Sequence, residues 1–162
     1  MSVESIDPKT IFALLTLHDA LNGSGVPWAV MGSLSHALQG LKIQPNDIDI
    51  TTNRQGAHTI QQLLETHVTR AVAHSEGDGV RSHLGELAIS GVTVQVIGDM
   101  ETRSPKGVWT SLPDEAPITV LVRGAAIPVH SLGWELEIYT RLNRMERVER
   151  LRELIARKKH TP

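Results

Sequence analysis

Apolar residues follow helical spacing at the start of the chain and strand spacing through its middle. Asp7 and Pro8 resemble a helix cap and a first helical residue, and apolar residues then recur every three or four positions as far as NGSG. The short apolar run PWAVM predicts a buried strand. The segment SLSHALQG then predicts a two-turn helix with Ser33 near its start.

The next part of the chain alternates between strand and helix patterns. DIDITT is predicted as the second strand, and RQGAHTIQQLLETH as a helix with one apolar face. Residues with β-branched side chains then predict three strands, in the segments HVTRAVAH, LAIS and VTVQVI. Ser90 and Gly91 lie between the last two of these strands and predict a hairpin turn.

The last third of the chain is predicted to contain a loop, a hairpin and two helices. RSPKGVWTSLPDEAP is polar and rich in proline, which predicts a loop, and ITVLVRGAAIPV predicts a hairpin. The terminal helices are expected at 131–143 and 145–158. This order predicts one α/β or α+β domain over 1–162, with a mixed sheet, helices mainly on one face and the terminal helices packed on it.

Composition removes several classes of function. The chain has 162 residues and no cysteine, so disulfide scaffolds, thiolate zinc sites and cysteine nucleophiles are excluded. Its net charge of -2 gives no overall attraction to nucleic acid or anionic lipid, so that any such attraction must be local, and 3% aromatic residues argue against a base-stacking platform. No apolar run approaches the ~18 residues of a membrane span, so we expect a cytoplasmic protein that contacts no membrane.

Two aspartates and a glycine–serine turn are the candidates for chemistry. Asp47 and Asp49 would face the same side of a strand, about 6.6 Å apart at the backbone. Like charges this close favour a cation between them, and hard oxygen ligands select Mg²⁺ or Mn²⁺. Gly32 and Ser33 form a tight connection where a phosphate group could approach the backbone. Two solvated acids and an ordinary turn are the simpler interpretation of each feature taken alone.

Taken together and in this order, VMGSLSHALQGLKIQPNDIDI resembles the nucleotidyltransferase superfamily typified by DNA polymerase beta. The closer likeness is to small bacterial and archaeal nucleotidyltransferase-like proteins, and IPVHSLGWELEIYTRLNRMERVERLREL resembles their tail. The resemblance implies that Gly32 and Ser33 hold the phosphates of an NTP such as ATP. It also implies that Asp47 and Asp49 bind the metal ions, and that an acceptor attacks the α-phosphorus and expels pyrophosphate.

The chain departs from this family at the position of a third acid. Active members carry a carboxylate on a later strand, and the matching position here is Gln95, whose neutral amide neither takes a proton nor offers a metal a charge. Asp99 and Glu86 are the two acids that could substitute, although Gly98 is predicted to end the strand before Asp99. Ile43 and Pro45 also stand where relatives often carry Arg and Thr.

Three functions therefore remain open from the sequence. The first is a metal-dependent enzyme that moves NMP from an NTP to an acceptor, which the sequence does not identify. The second is a catalytically inactive domain of the same fold that binds nucleotide or a protein partner, as antitoxin-like relatives do. The third is an unrelated α/β binding domain with a chance Asp-x-Asp. Gln95 separates the first two.

Overall fold

The computed structural model of the protein describes residues 3–160. Its eight strands form one mixed sheet, in the order β3-β4-β5-β2-β1-β8-β7, with β6 paired to β5. The β2–β5 and β1–β8 pairs are parallel, and the other pairs are antiparallel. The strands are β1 (Ala29–Met31), β2 (Ile48–Thr52), β3 (Val68–Gly77), β4 (Val80–Ile89), β5 (Val92–Arg103), β6 (Trp109–Ser111), β7 (Ile118–Val122) and β8 (Ala125–Val129).

Five α-helices accompany the sheet. The caps at the start of the first, third and fourth helices are side chains of Asp7, Asn53 and Ser131, each accepting a backbone N–H of the first turn. These bonds explain why the helices begin where they do. The helices are α1 (Pro8–Leu21), α2 (Gly32–Leu38), α3 (Arg54–Leu63), α4 (Leu132–Arg141) and α5 (Met145–Lys159). The predicted α/β mixed-sheet fold class is confirmed.

Two clusters of buried side chains lie on opposite faces of the sheet. Ile48 and Ile50 of β2 belong to the first cluster, together with apolar residues of α1, α2 and α3. Met31 of β1 and Ile97 of β5 belong to the second, with α4 and α5. Since neighbouring residues of a strand point to opposite faces, the terminal helices cover part of the face to which Asp49 belongs.

The hairpin predicted at Ser90 and Gly91 is present, and both residues have positive φ, 51° and 79°. Two residues with positive φ at a two-residue connection match the right-handed twist of the flanking strands. The hairpin predicted in ITVLVRGAAIPV is also present and joins β7 to β8.

Two predictions about strand ends were wrong. The polar stretch predicted as a loop contains a short strand, β6, which pairs with the end of β5. Gly98 does not end its strand: β5 continues to Arg103, but its pairing with β4 shifts between Arg81 and His83, and Asp99 has a φ of 49°. An extra residue on β5 thus bulges the strand where it was expected to stop.

Within residues 3–160, none of the helices has the length and apolar character needed to cross a membrane.

Candidate active site

Four side chains form a row across the sheet on the face that carries Asp49. Asp49 pairs with Met31 of β1 on one side and with Gln95 of β5 on the other, and Gln95 pairs with Glu86 of β4. Directly paired residues share a face of the sheet. The sheet therefore brings Asp49 and Gln95, the predicted second and third acid positions, side by side, and places Glu86 one strand further out.

Asp49 is the more enclosed member of the aspartate pair. Burial, together with the charges of Asp47 and Glu135, raises its pKa to about 6. Asp47 is exposed and precedes β2. In residues 3–160, no three or more His, Asp or Glu side chains are arranged to hold a metal ion. Mg²⁺ commonly takes one or two carboxylates and completes its shell with substrate phosphates and water, so this crowded, oxygen-only pair fits such an ion.

The turn at Gly32, where β1 passes into α2, lies against Asp49. Gly32 has a φ of 75°, which favours glycine, and a Cβ added there would lie 3.1 Å from Asp49 Oδ2 and 3.5 Å from the Tyr139 hydroxyl. The lack of a side chain at residue 32 is therefore what allows the backbone turn, the carboxylate and the tyrosine to meet.

A buried glutamate holds this turn. The Gly32 backbone N–H donates to Glu135 Oε1 at 2.9 Å, and His36 Nε2 lies 2.7 Å from Glu135 Oε2. Both side chains are fully buried. Burial raises the pKa of the Glu135 carboxyl, and the hydrogen bonds from His36 and Gly32 oppose that shift.

Arg147 fixes the tautomer of His36. Its Nη1 lies 3.0 Å from His36 Nδ1 and 3.2 Å from Ser33 Oγ. A guanidinium only donates, so Nδ1 accepts and the ring proton is on Nε2, directed at Glu135. Both oxygens of Glu135 thus accept hydrogen bonds, the pattern of an ionised carboxylate. Arg147 is therefore connected to Glu135 through the imidazole ring of His36.

An open cavity lies beside this network and is lined by three arginines, two in α5 and one just before it. Arg144, Arg147 and Arg150 line a space of about 220 Å³ together with Met145 and Glu146. In the part of the chain that the structure describes, none of the three arginines forms an ion pair. Arg144 and Arg147 lie 5.6 and 5.8 Å from the centre of the Tyr139 ring. The cavity is therefore a positively charged space next to Ser33.

The structure separates the two acids considered as substitutes for the third carboxylate. Glu86 contacts Gln95 directly, with Gln95 Nε2 3.4 Å from Glu86 Oε1. Asp99 is exposed at the bulge and is one of the charges that act on His83, whereas the acids that act on Asp49 are Asp47 and Glu135.

Sequence reasoning missed the roles of Glu135, Tyr139 and Arg147. A signal for Glu135 was present, since it lies three and four residues before Ile138 and Tyr139 on the buried face of α4. An acid on the apolar stripe of a helix indicates a buried partner. No comparable signal marks Arg147, which lies in a run of basic residues.

The family model for aminoglycoside-2''-adenylyltransferases matches residues 13–155 of the chain. A crystal structure from Thermotoga maritima, of a protein assigned as a nucleotidyltransferase, is 36% identical to the chain. The match covers 94% of this chain and 96% of that one, with a TM-score of 0.81. The chain belongs to the aminoglycoside-2''-adenylyltransferase family. Family membership places it among the nucleotidyltransferases and confirms the resemblance on which the sequence analysis relied.

Two more distant structures share the fold of this adenylyltransferase-family chain. ANT(2'')-Ia in complex with adenylyl-2''-tobramycin is 12% identical, with a TM-score of 0.60 and coverage of 91% of this chain and 88% of that one. The lincomycin-bound lincosamide adenylyltransferase LnuA is 17% identical, with a TM-score of 0.59 and coverage of 92% and 98%. No curated protein matches the chain at a significant level.

Proposed function

We propose that this chain is a metal-dependent nucleotidyltransferase that moves NMP from an NTP to a hydroxyl or amine of an acceptor. The observation that carries the proposal is the meeting of Asp49, the Gly32 turn and Arg147 at one place on the sheet face. Acid residues suited to a hard cation and basic residues suited to phosphate are both needed for a nucleotide–metal complex, and both are present here.

Asp47 and Asp49 would hold Mg²⁺ or Mn²⁺. A bound cation of this kind would neutralise charge that develops on the phosphate oxygens as pyrophosphate leaves. The raised pKa of Asp49 supports this assignment, because a carboxylate crowded by Asp47 and Glu135 is relieved by a nearby positive charge.

The triphosphate would lie along Ser33 and the arginine-lined cavity. The Gly32 N–H is already bonded to Glu135, so Gly32 would serve by its small size and not as a phosphate donor. Ser33 Oγ and the guanidinium groups of Arg144 and Arg147 are the donors at this edge of the turn. Charge-assisted bonds from arginine to phosphate are among the strongest that a protein side chain makes.

The donor that we favour is ATP, because the matching family model describes an adenylyltransferase. For the acceptor, the two distant structures with antibiotic ligands suggest small molecules of similar size. We therefore propose that the acceptor is a small molecule that carries a hydroxyl or amine group.

The proposal is tested first by binding. Mg²⁺ with ATP should raise the melting temperature of the parent, since a ligand at about 100 times its Kd adds about 2.7 kcal/mol to the folded state. The double variant Asp47→Asn, Asp49→Asn should lose this gain, whereas a variant at the exposed Asp114 should keep it. Equal stabilisation of the parent and the double variant would contradict the assignment of the site.

One observation favours a second function, a nucleotide-binding or protein-binding domain without catalysis. Gln95 stands on β5 directly opposite Asp49, where a carboxylate would be expected. A neutral amide there removes a charge from the donor set and a proton acceptor from the reaction. Nucleotide binding without pyrophosphate release, across ATP and the other NTPs and a broad panel of acceptors, would favour this alternative.

A further inference from the structure

We propose that Glu86 of β4 takes the proton from the acceptor during nucleotidyl transfer. This inference rests on the proposed function and names a catalytic residue for it. A positioned general base contributes about 10²–10⁴-fold to the rate of a reaction of this kind, and Gln95 has no basic atom to offer. The proton therefore needs another group on the same face of the sheet.

The position of Glu86 satisfies that requirement. Its backbone pairs with Gln95, whose backbone pairs with Asp49, so the three side chains rise from the same face. With strands about 4.8 Å apart, Glu86 lies one strand beyond the usual place of a third acid and about 10 Å from Asp49 at the backbone. Glu86 is also partly exposed, so that an acceptor can reach it.

Gln95 would position Glu86. The amide Nε2 of Gln95 lies 3.4 Å from Glu86 Oε1, which directs one oxygen towards β5 and leaves the other without a hydrogen bond from any of residues 3–160. An acid at residue 95 would instead place a like charge beside Glu86, and two adjacent carboxylates do not both stay ionised readily. An amide at this position places no like charge beside Glu86.

The other titratable groups near the row are already engaged. Glu135 and His36 are fully buried and hydrogen-bonded to each other, and the second ring nitrogen of His36 faces Arg147. His130 is 7% exposed, and its Nε2 lies 2.7 Å from the Thr51 hydroxyl. Asp47 and Asp49 carry the proposed cation. Glu86 is the remaining carboxylate of the row itself, whereas Glu76 and Asp78 lie further away, where β3 turns into β4.

There is room for an acceptor beside this row. A cavity of about 320 Å³ is lined by Gln95, the residue that contacts Glu86, and by Leu84, Ile97 and Met100. In the proposed step, the O–H bond of the acceptor breaks and its proton goes to Glu86. The acceptor oxygen forms a bond to the α-phosphorus, and the bond from that phosphorus to the bridging oxygen of the β-phosphate breaks. Pyrophosphate leaves with that electron pair.

The test compares four proteins: the parent, Glu86→Gln, Gln95→Glu, and the double variant that carries both changes. Pyrophosphate release from Mg²⁺-ATP is measured with a panel of alcohol and amine acceptors and with water alone. The melting-temperature gain with Mg²⁺-ATP is measured on the same samples, which shows that each variant is folded and binds nucleotide. Glu65→Gln, which changes an exposed acid between α3 and β3, is the control.

We expect Glu86→Gln to lower turnover by about 10²–10⁴-fold while it keeps the nucleotide-induced gain in melting temperature. The double variant should regain part of the loss, because it returns a carboxylate to the neighbouring position. Turnover by Glu86→Gln equal to that of the parent would overturn the inference and leave the proposed function intact. A parent that binds Mg²⁺-ATP but releases no pyrophosphate would also overturn it. Failure of the parent to bind Mg²⁺-ATP would contradict the proposed function itself.

Discussion

Gly32 and Asp49 approach each other so closely that a methyl group on Gly32 would lie 3.1 Å from Asp49 Oδ2. The contact joins the two sequence motifs of the candidate site, the turn after β1 and the acid on β2. It explains why the turn requires glycine for two separate reasons, the positive φ and the nearby carboxylate.

Gly32→Ala should therefore lower the free energy of unfolding by more than backbone strain alone would. Gly23 offers a matched control, because it has a φ of 77° and no atom within 4 Å of an added Cβ. Gly23→Ala should lower the free energy of unfolding by about 1–2 kcal/mol, the usual cost of a left-handed backbone for alanine. Gly32→Ala should lower it further and reduce stabilisation by Mg²⁺-ATP. Urea unfolding measures the free energy of unfolding of both variants. Equal losses for the two would show that the Asp49 contact carries no cost.

Asp49→Asn should stabilise the protein at neutral pH. Burial first, then Asp47 and Glu135, raise the pKa of Asp49 from 3.8 to about 6 in the folded state. The folded state then binds more protons than the unfolded state between these values, so the stability of the parent falls as pH rises through that window. This rise in pKa corresponds to a gain of about 3 kcal/mol in the free energy of unfolding of the variant above pH 6.

The stability gain of Asp49→Asn should vanish below about pH 3.8, the pKa of Asp49 in the unfolded state, because Asp49 is then protonated in both states. Urea unfolding at pH 7.5 and near pH 3.5 measures the difference. Asp114→Asn changes an exposed acid in the same way and should have little effect at either pH. A stability gain for Asp49→Asn that does not depend on pH would contradict the linkage.

Glu135→Gln should destabilise the fold strongly. A glutamine has one acceptor oxygen for two donors, the Gly32 N–H and His36 Nε2, and its NH₂ group would face one of them. Removal of one partner from a buried ionic network costs about 3–5 kcal/mol. Glu137→Gln is the control on the same helix, because Glu137 is half exposed and its ion pair with Arg141 should contribute no more than about 0.5 kcal/mol. Similar unfolding midpoints for the two variants in urea would contradict the stabilising role given to Glu135.

Arg147→Ala should weaken the binding of Mg²⁺-ATP. Hydrogen bonds to charged groups contribute about 1.5–3 kcal/mol, which corresponds to a Kd higher by about 10- to 100-fold. Arg152→Ala removes an exposed arginine from the same helix and should leave the Kd near that of the parent. Isothermal titration calorimetry gives both values. If Arg147→Ala bound the nucleotide as tightly as Arg152→Ala, the arginine-lined cavity would not be the phosphate site.

The sequence predicted the parts of the fold that depend on local patterns. The cap at Asp7, the turn at Ser90 and Gly91 and the alternation over Ile48, Asp49 and Ile50 in β2 all follow from neighbouring residues, and each is present. The bulge at Asp99 was missed because it depends on the register with β4. The strand β6 was missed because a short edge strand is stabilised by its partner more than by its own residues.

The residues of the candidate site also fall into two groups, those that local spacing predicts and those that only packing reveals. Asp47, Asp49, Gly32 and Ser33 lie within 18 residues of one another in the chain and could be found from spacing alone. Glu135 and Arg147 come from helices that pack on the sheet much later in the sequence. Only the packing shows that a helical acid bonds to the Gly32 turn, and that an arginine in a basic run reaches Ser33.

The bond between Gly32 and Glu135 spans 103 residues, and this gives the site an order of assembly during synthesis. At about 5–20 residues per second, a ribosome that has just made the turn needs about 5–20 s more to make the glutamate. Until then the Gly32 N–H and His36 lack the carboxylate that holds them in the folded protein. A nascent chain that already contains both aspartates should therefore remain unable to bind nucleotide until α4 has emerged.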